Sequence, residues 1–264
     1  MFNFCIIGKY CGILIFYLTV NNVFAQNKFK KEVYRGTKDS LLYNILDPVD
    51  YKSEKKGKET IYPLIVFLHG AGERGSDNEI QTIHIRSLFL DNDNQLNYPS
   101  FVLVPQCPTN RQWVNLPWSG INHSMPEVCS ETMDLTIELI GEIIKKHPID
   151  TNRIYISGVS MGGYGTWDII SRYPQKFAAA IPICGGGDTS KAKLLKDIPI
   201  WAFHGSSDKV VSVENTRNMI KAIKIAGGNP KYTEYAKVGH DSWVKTYKEG
   251  NLLEWLFKQK KAEN

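Results

Sequence analysis

A chain of 264 residues, 42% hydrophobic and 22% charged, has the apolar content of one α/β-sized core and lies far from disordered or fibrous compositions. Its formal net charge of +5 becomes +4 once the leader described next is set aside, because Lys9 is the only charged residue there, and so mild a balance argues against a nucleic-acid partner. The basic runs "KFKK" at 28–31, "EKKGKE" at 54–59 and "KQKK" at 258–261 are scattered and read as solvated faces and a tail.

At the N-terminus, Lys9 precedes an apolar run from Tyr10 to Val20, too short to span a bilayer comfortably, and Val23-Phe24-Ala25 then offers small residues for signal-peptidase cleavage before Gln26. Residues 1–25 are therefore expected to be a secretory signal peptide and 26–264 a single exported domain, periplasmic or extracellular, with no stable membrane insertion after cleavage. An uncleaved anchor is the competing reading. Cys107, Cys129 and Cys184 remain in the mature chain without C-x-x-C or Cys/His ligand spacing, so no metal site is expected. An oxidising compartment would allow one disulfide, with Cys107 and Cys129 the pair of choice because they flank one loop; buried free thiols are the alternative.

Two alternating pieces, "KKEVYRG" and "LLYNILDP", predict an antiparallel hairpin or edge of a larger sheet. From Tyr62 the pattern changes to continuous apolar runs, "YPLIVFLHG", "FVLVPQCP", "RIYISGVS", "AAAIPICGG" and "IPIWAFHGS", each closing on Gly, Pro, Ser or His. Such runs suit strands buried on both faces of a parallel sheet. Between them, 126–146 predicts a helix with Met133, Ile137, Ile140 and Ile144 on one face. Further helices are expected after Ser160, over 213–226 and over 252–260, and a last strand in "KYTEYAKV". The alternation predicts an α/β fold, a mostly parallel sheet with helices on both faces and ligands at the carboxyl ends of the strands.

Gly158-Val159-Ser160-Met161-Gly162 matches G-x-S-x-G, with a predicted strand before it and a predicted helix after it. A serine there occupies a strained turn whose neighbours two residues away must lack bulk, and the Met161 backbone N–H near the helix start can hold a developing oxyanion. Neither a phosphate cradle nor a dinucleotide fingerprint can be written on these residues. A serine nucleophile needs a base, and His240 in "VGHDSW" follows the last predicted strand. His84, His123 and His147 read as solvated or capping, and His69 and His204 as turn residues packed against the site. The base needs an acid, and Asp208 in "FHGSSDKVV" gives the chain order Ser, Asp, His; Asp188 is the runner-up. A second oxyanion donor is expected from the loop "FLHGAGERG", through the N–H of Ala71.

Five motifs, "YPLIVFLHGAGERG", "FVLVPQCP", "RIYISGVSMGGYGTWDI", "WAFHGSSDKVV" and "VGHDSW", occur in this order. Through them the chain resembles secreted α/β-hydrolase esterases of the polyhydroxybutyrate-depolymerase and feruloyl-esterase type, including relatives described as predicted peptidases. The resemblance implies an α/β-hydrolase fold and carboxylic-ester hydrolysis, with Ser160 as nucleophile, Asp208 as acid and His240 as base. No metal or organic cofactor is implied. The substrate would be a small-molecule or polysaccharide-linked ester, with feruloyl or acetyl esters as the leading class; a serine peptidase acting on short peptides and a non-catalytic binder are the alternatives. Trp113 and Trp118, in a loop rich in Pro and Asn, are the candidate substrate-stacking rings.

Overall fold

The apolar runs that close on Gly, Pro or His become neighbouring strands of one sheet. A computed structural model describes residues 28–37, 39–49, 51, 60–118, 120–121 and 123–261; the expected leader at 1–25 and the basic run at 54–59 lie outside them. Strands β1 (Lys30–Arg35), β2 (Ser40–Leu46), β3 (Tyr62–Leu68), β4 (Phe101–Pro105), β5 (Ile149–Val159), β6 (Ala179–Ile183), β7 (Trp201–Gly205) and β8 (Lys231–Tyr235) assemble in the order β1-β2-β4-β3-β5-β6-β7-β8. The expected hairpin is the antiparallel pair of β1 and β2, from Lys30 opposite Ile45 to Arg35 opposite Ser40. β2 also runs antiparallel to β4, whereas every pairing from β4 through β8 is parallel.

Interleaved with the strands are α1 (Arg86–Phe89), α2 (Asn92–Asn97), α3 (Glu131–Lys146), α4 (Met161–Arg172), α5 (Ala192–Leu195), α6 (Glu214–Ile225), α7 (Trp243–Thr246) and α8 (Leu252–Phe257). All seven residues of β3 are buried, as a strand covered on both faces requires. Its alternation splits the interior into two cores. Leu64, Val66 and Leu68 join the side chains of α3, α4 and α6, while Ile65 and Phe67 join those of α1 and α8 on the opposite face.

The helix expected over 126–146 begins at Glu131, where the Ser130 side chain accepts from the Met133 N–H at 3.1 Å and caps the first turn. Its buried face is also rotated from the expected one: Met133, Thr136, Ile140 and Ile143 are buried, and Ile137 and Ile144 only partly. Thr136 can face the core because its hydroxyl donates to the Thr132 carbonyl at 2.8 Å, so that its polar atom is satisfied within the helix. The parallel order brings the ends of β3, β5, β7 and β8 to one edge, and with them Ala71, Ser160, Asp208 and His240.

Candidate active site

Ser160 is the single residue between β5 and α4, with φ 54° and ψ −116°. A non-glycine residue in this region costs about 1–3 kcal/mol and needs surroundings that enforce it. Two glycines provide them. A Cβ on Gly158 would lie 2.2 Å from the Gly162 carbonyl oxygen, and one on Gly162 would lie 1.9 Å from that of Leu68. The backbone itself is pinned, since the Ser160 N–H donates to the Ile183 carbonyl at 2.9 Å and the Tyr164 N–H to the Ser160 carbonyl at 3.1 Å.

From the loop beyond β8, His240 places Nε2 2.9 Å from Ser160 Oγ and Nδ1 2.7 Å from Asp208 Oδ2. A carboxylate only accepts, so Nδ1 carries the hydrogen and Nε2 is left to accept from the serine hydroxyl. The other Asp208 oxygen accepts from the backbone N–H groups of Val210 and Val211 at 2.8 and 2.9 Å. His204, wholly buried, puts Nε2 3.1 Å from Asp208 Oδ2 and 3.0 Å from the Val211 carbonyl, and Nδ1 2.8 Å from the Thr216 hydroxyl. Burial pushes the Asp208 carboxyl up, but the hydrogen bonds from His204, His240 and the two amides outweigh it and hold the group well below the usual carboxylate range. The His240 ring meets Trp243 edge to face at 5.5 Å.

The loop after β3 lies against the elbow: a Cβ built on Gly70 would be 3.7 Å from Ser160 Cβ. Ala71 opens a short 3-10 turn, Ala71–Glu73, and Met161 is the first residue of α4, where a helix leaves its N–H groups without intrahelical partners. His69 fastens this loop from below. Its Nδ1 donates to the Gly70 carbonyl at 2.6 Å, and its Nε2 accepts from the Cys107 N–H at 2.9 Å. Burial brings its pKa down to about 4, which keeps the ring neutral. The Glu73 carboxylate turns to His84 Nε2 at 3.0 Å.

The structure thus brings Ser160, His240 and Asp208 into one hydrogen-bonded line, with Gly70 packed against the serine, Ala71 next after Gly70, and Met161 following Ser160 in the chain. Trp118 is partly buried, with the Arg74 guanidinium 5.9 Å from its ring centroid. Trp113 departs from expectation: it is 0% exposed, so it does not meet substrate. Its loop folds back because the indole N–H donates to the His69 carbonyl at 2.9 Å and the Ser130 hydroxyl to the Trp113 carbonyl at 2.7 Å. Asp188, the runner-up acid, instead accepts from the N–H groups of Ser190 and Met125. Cys107 and Cys129 are free thiols rather than a disulfide, each pushed up to about 12 by burial. His204 read only as a turn residue in the sequence; its spacing of four from Asp208 was the available signal. Cys184 gave none, yet its sulfur, an Asp208 oxygen and a His240 nitrogen lie within 4.8 Å of one another, a set with the donor types of a metal site. Among the described residues, no helix is long and apolar enough to cross a membrane.

A family model described as phospholipase/carboxylesterase matches residues 52–249. The chain belongs to this family. Among its esterase-type relatives, an acyl-protein thioesterase 1 homolog of Dictyostelium discoideum is 30% identical over 206 residues, 72% of this chain and 90% of that protein. A bifunctional acetylxylan esterase/xylanase of Neocallimastix patriciarum is 33% identical over 84 residues, 32% of this chain, and the match spans only 12% of that protein's length. The crystal structure of a thermostable esterase superposes with a TM-score of 0.80 at 40% identity, covering 90% of this chain and 64% of that one. Fold and family together place the chain in the phospholipase/carboxylesterase family of the α/β-hydrolase fold.

Proposed function

We propose that the protein is an exported serine esterase that cleaves acetyl or feruloyl esters on plant polysaccharides through an acyl-enzyme on Ser160. The observation that carries the reading is the line from Ser160 Oγ through His240 to Asp208, at 2.9 and 2.7 Å, on the carboxyl edge of the sheet. In this mechanism Ser160 Oγ attacks the ester carbonyl as His240 Nε2 takes its proton, and Asp208 stabilises the imidazolium. The N–H groups of Ala71 and Met161 hold the tetrahedral oxygen. His240 next gives the proton to the departing alcohol, then draws one from water as it attacks the acyl-enzyme, which frees the acid and restores the serine. Trp118 and Arg74 supply an aromatic and cationic wall beside the Ala71 turn. The polysaccharide substrate draws on the likeness to the acetylxylan esterase/xylanase, and export on the leader read in residues 1–25.

Product analysis on acetylated and feruloylated xylan fragments tests both levels. Acetate or ferulate is expected from the native protein, and Ser160→Ala should lose on the order of 10⁵-fold or more in kcat. Undiminished hydrolysis by that variant would remove the serine from the mechanism. Cleavage of simple aryl esters with neither acid released from xylan would remove the polysaccharide substrate alone.

A further inference from the structure

Cys184 has no part in the hydrolysis just described, yet it closes β6 directly behind the reacting line. It is wholly buried and holds φ at 41°, a left-handed conformation unfavourable for a residue with a Cβ, although the next three positions are glycines. Beside its thiol stands the fully buried Ser242 hydroxyl. A cysteine in a strained backbone conformation is thereby grouped with two of the polar side chains of the site.

We infer that Cys184, Asp208 and His240 form a latent site for a thiophilic divalent cation, Zn²⁺ or Cd²⁺, and that its occupation switches the hydrolase off. The donor set is balanced for the ion: thiolate and carboxylate together match two positive charges, and the imidazole adds a neutral nitrogen. Metal–ligand bonds of about 2.0–2.3 Å place tetrahedral donors about 3.3–3.8 Å apart, so separations of up to 4.8 Å must close by about 1 Å, while His240 Nδ1 and Asp208 Oδ2, 2.7 Å apart, must open by about 0.6 Å. The ring nitrogen on the Asp208 side is Nδ1. Binding forms metal–sulfur, metal–oxygen and metal–nitrogen bonds, breaks the thiol S–H and releases that proton to solvent. The Nδ1 hydrogen also leaves, and solvent returns one to Nε2, so the ring stays neutral. An Nε2 that carries hydrogen cannot accept the proton of Ser160, and acylation stops. A thiolate donor favours a cation with high affinity for sulfur; Mg²⁺ and Ca²⁺, which prefer oxygen, are not held by it.

The inhibitory consequence rests on the proposed serine mechanism, whereas the binding does not, and the two are measured apart. Full-length Ser160→Ala protein titrated with Cd²⁺ should bind one ion with the ultraviolet absorption of a cadmium–thiolate bond, and Ser160→Ala combined with Cys184→Ala should lose that absorption. With 4-nitrophenyl acetate, Zn²⁺ should inhibit the active protein reversibly on chelation. Cys184→Ala should need at least about 10-fold more Zn²⁺ for the same fractional loss, measured against its own metal-free rate. Cys184→Val, closer to cysteine in volume, repeats the comparison if the alanine variant proves unstable. No thiolate absorption, or equal Zn²⁺ sensitivity with and without Cys184, overturns the site. A clear cadmium titration in a protein that hydrolyses no ester would leave the site standing and overturn the hydrolase mechanism instead.

Discussion

His240 and His69 stand at the same edge of the sheet, one beyond β8 and the other at the end of β3, and both carry their hydrogen on Nδ1. His240 donates it to a carboxylate and accepts the Ser160 hydroxyl at Nε2; His69 donates it to a carbonyl and accepts the Cys107 amide at Nε2. The two rings share a tautomer and differ in their partners. A hydroxyl can give up its proton and a carboxylate can stabilise the imidazolium that results, whereas an amide keeps its proton and a carbonyl offers far less to a buried cation. A base and a fastening are thus separated by one atom at each end of the same ring. Trp113 belongs with His69, and His204 supports Asp208 from below.

The comparison breaks first at Asp208. Asp208→Asn should cost about 10⁴-fold in kcat at neutral pH, because the amide no longer supports the imidazolium or selects the Nδ1 hydrogen; a loss below about 10-fold in steady-state kinetics would dissolve the distinction between the rings. On the fastening side, Trp113→Ala should lower unfolding free energy by about 3–5 kcal/mol in chemical denaturation. A variant with unchanged stability and a raised KM would return Trp113 to the substrate pocket.

His69 yields a pH signature. Its folded pKa of about 4 lies below the ordinary value of about 6.5, so between these the unfolded chain binds more protons and stability falls as pH falls. The contribution is fully present above about pH 6.5 and declines by about 3 kcal/mol towards pH 4. Denaturation midpoints across that range should slope less in His69→Gln, and equal slopes would count against a neutral His69. The smallest effect is expected from His204→Gln, about 10-fold in kcat/KM, through one hydrogen bond to Asp208; a loss as large as that of Asp208→Asn would make His204 more than a support.

What the chain order could convey was the framework. Continuous apolar runs closing on glycine or histidine marked the parallel strands because burial on both faces removes alternation, and Gly158 and Gly162 marked the elbow because backbone there leaves no room for a Cβ. The pattern misled where a local hydrogen bond hides polarity. Thr136 turned the buried face of α3 away from Ile137 and Ile144, and a single indole N–H drew Trp113 under a loop whose composition suggested exposure. Cys184 was illegible for another reason: its neighbours in space lie 24 and 56 positions away along the chain, and no local spacing encodes them.

The β1–β2 hairpin carries a consequence for how the protein behaves among its own copies. Among the described residues β1 is the outermost strand on its side, and it presents Lys30, Lys31, Glu32 and Arg35 at exposed positions. The outermost strand on the other side, β8, is five residues long and bears Lys231 and Glu234. A foreign strand adding to either border would have to strip water from these charges before gaining a ladder. Both margins of the sheet are thus guarded against fibrous growth.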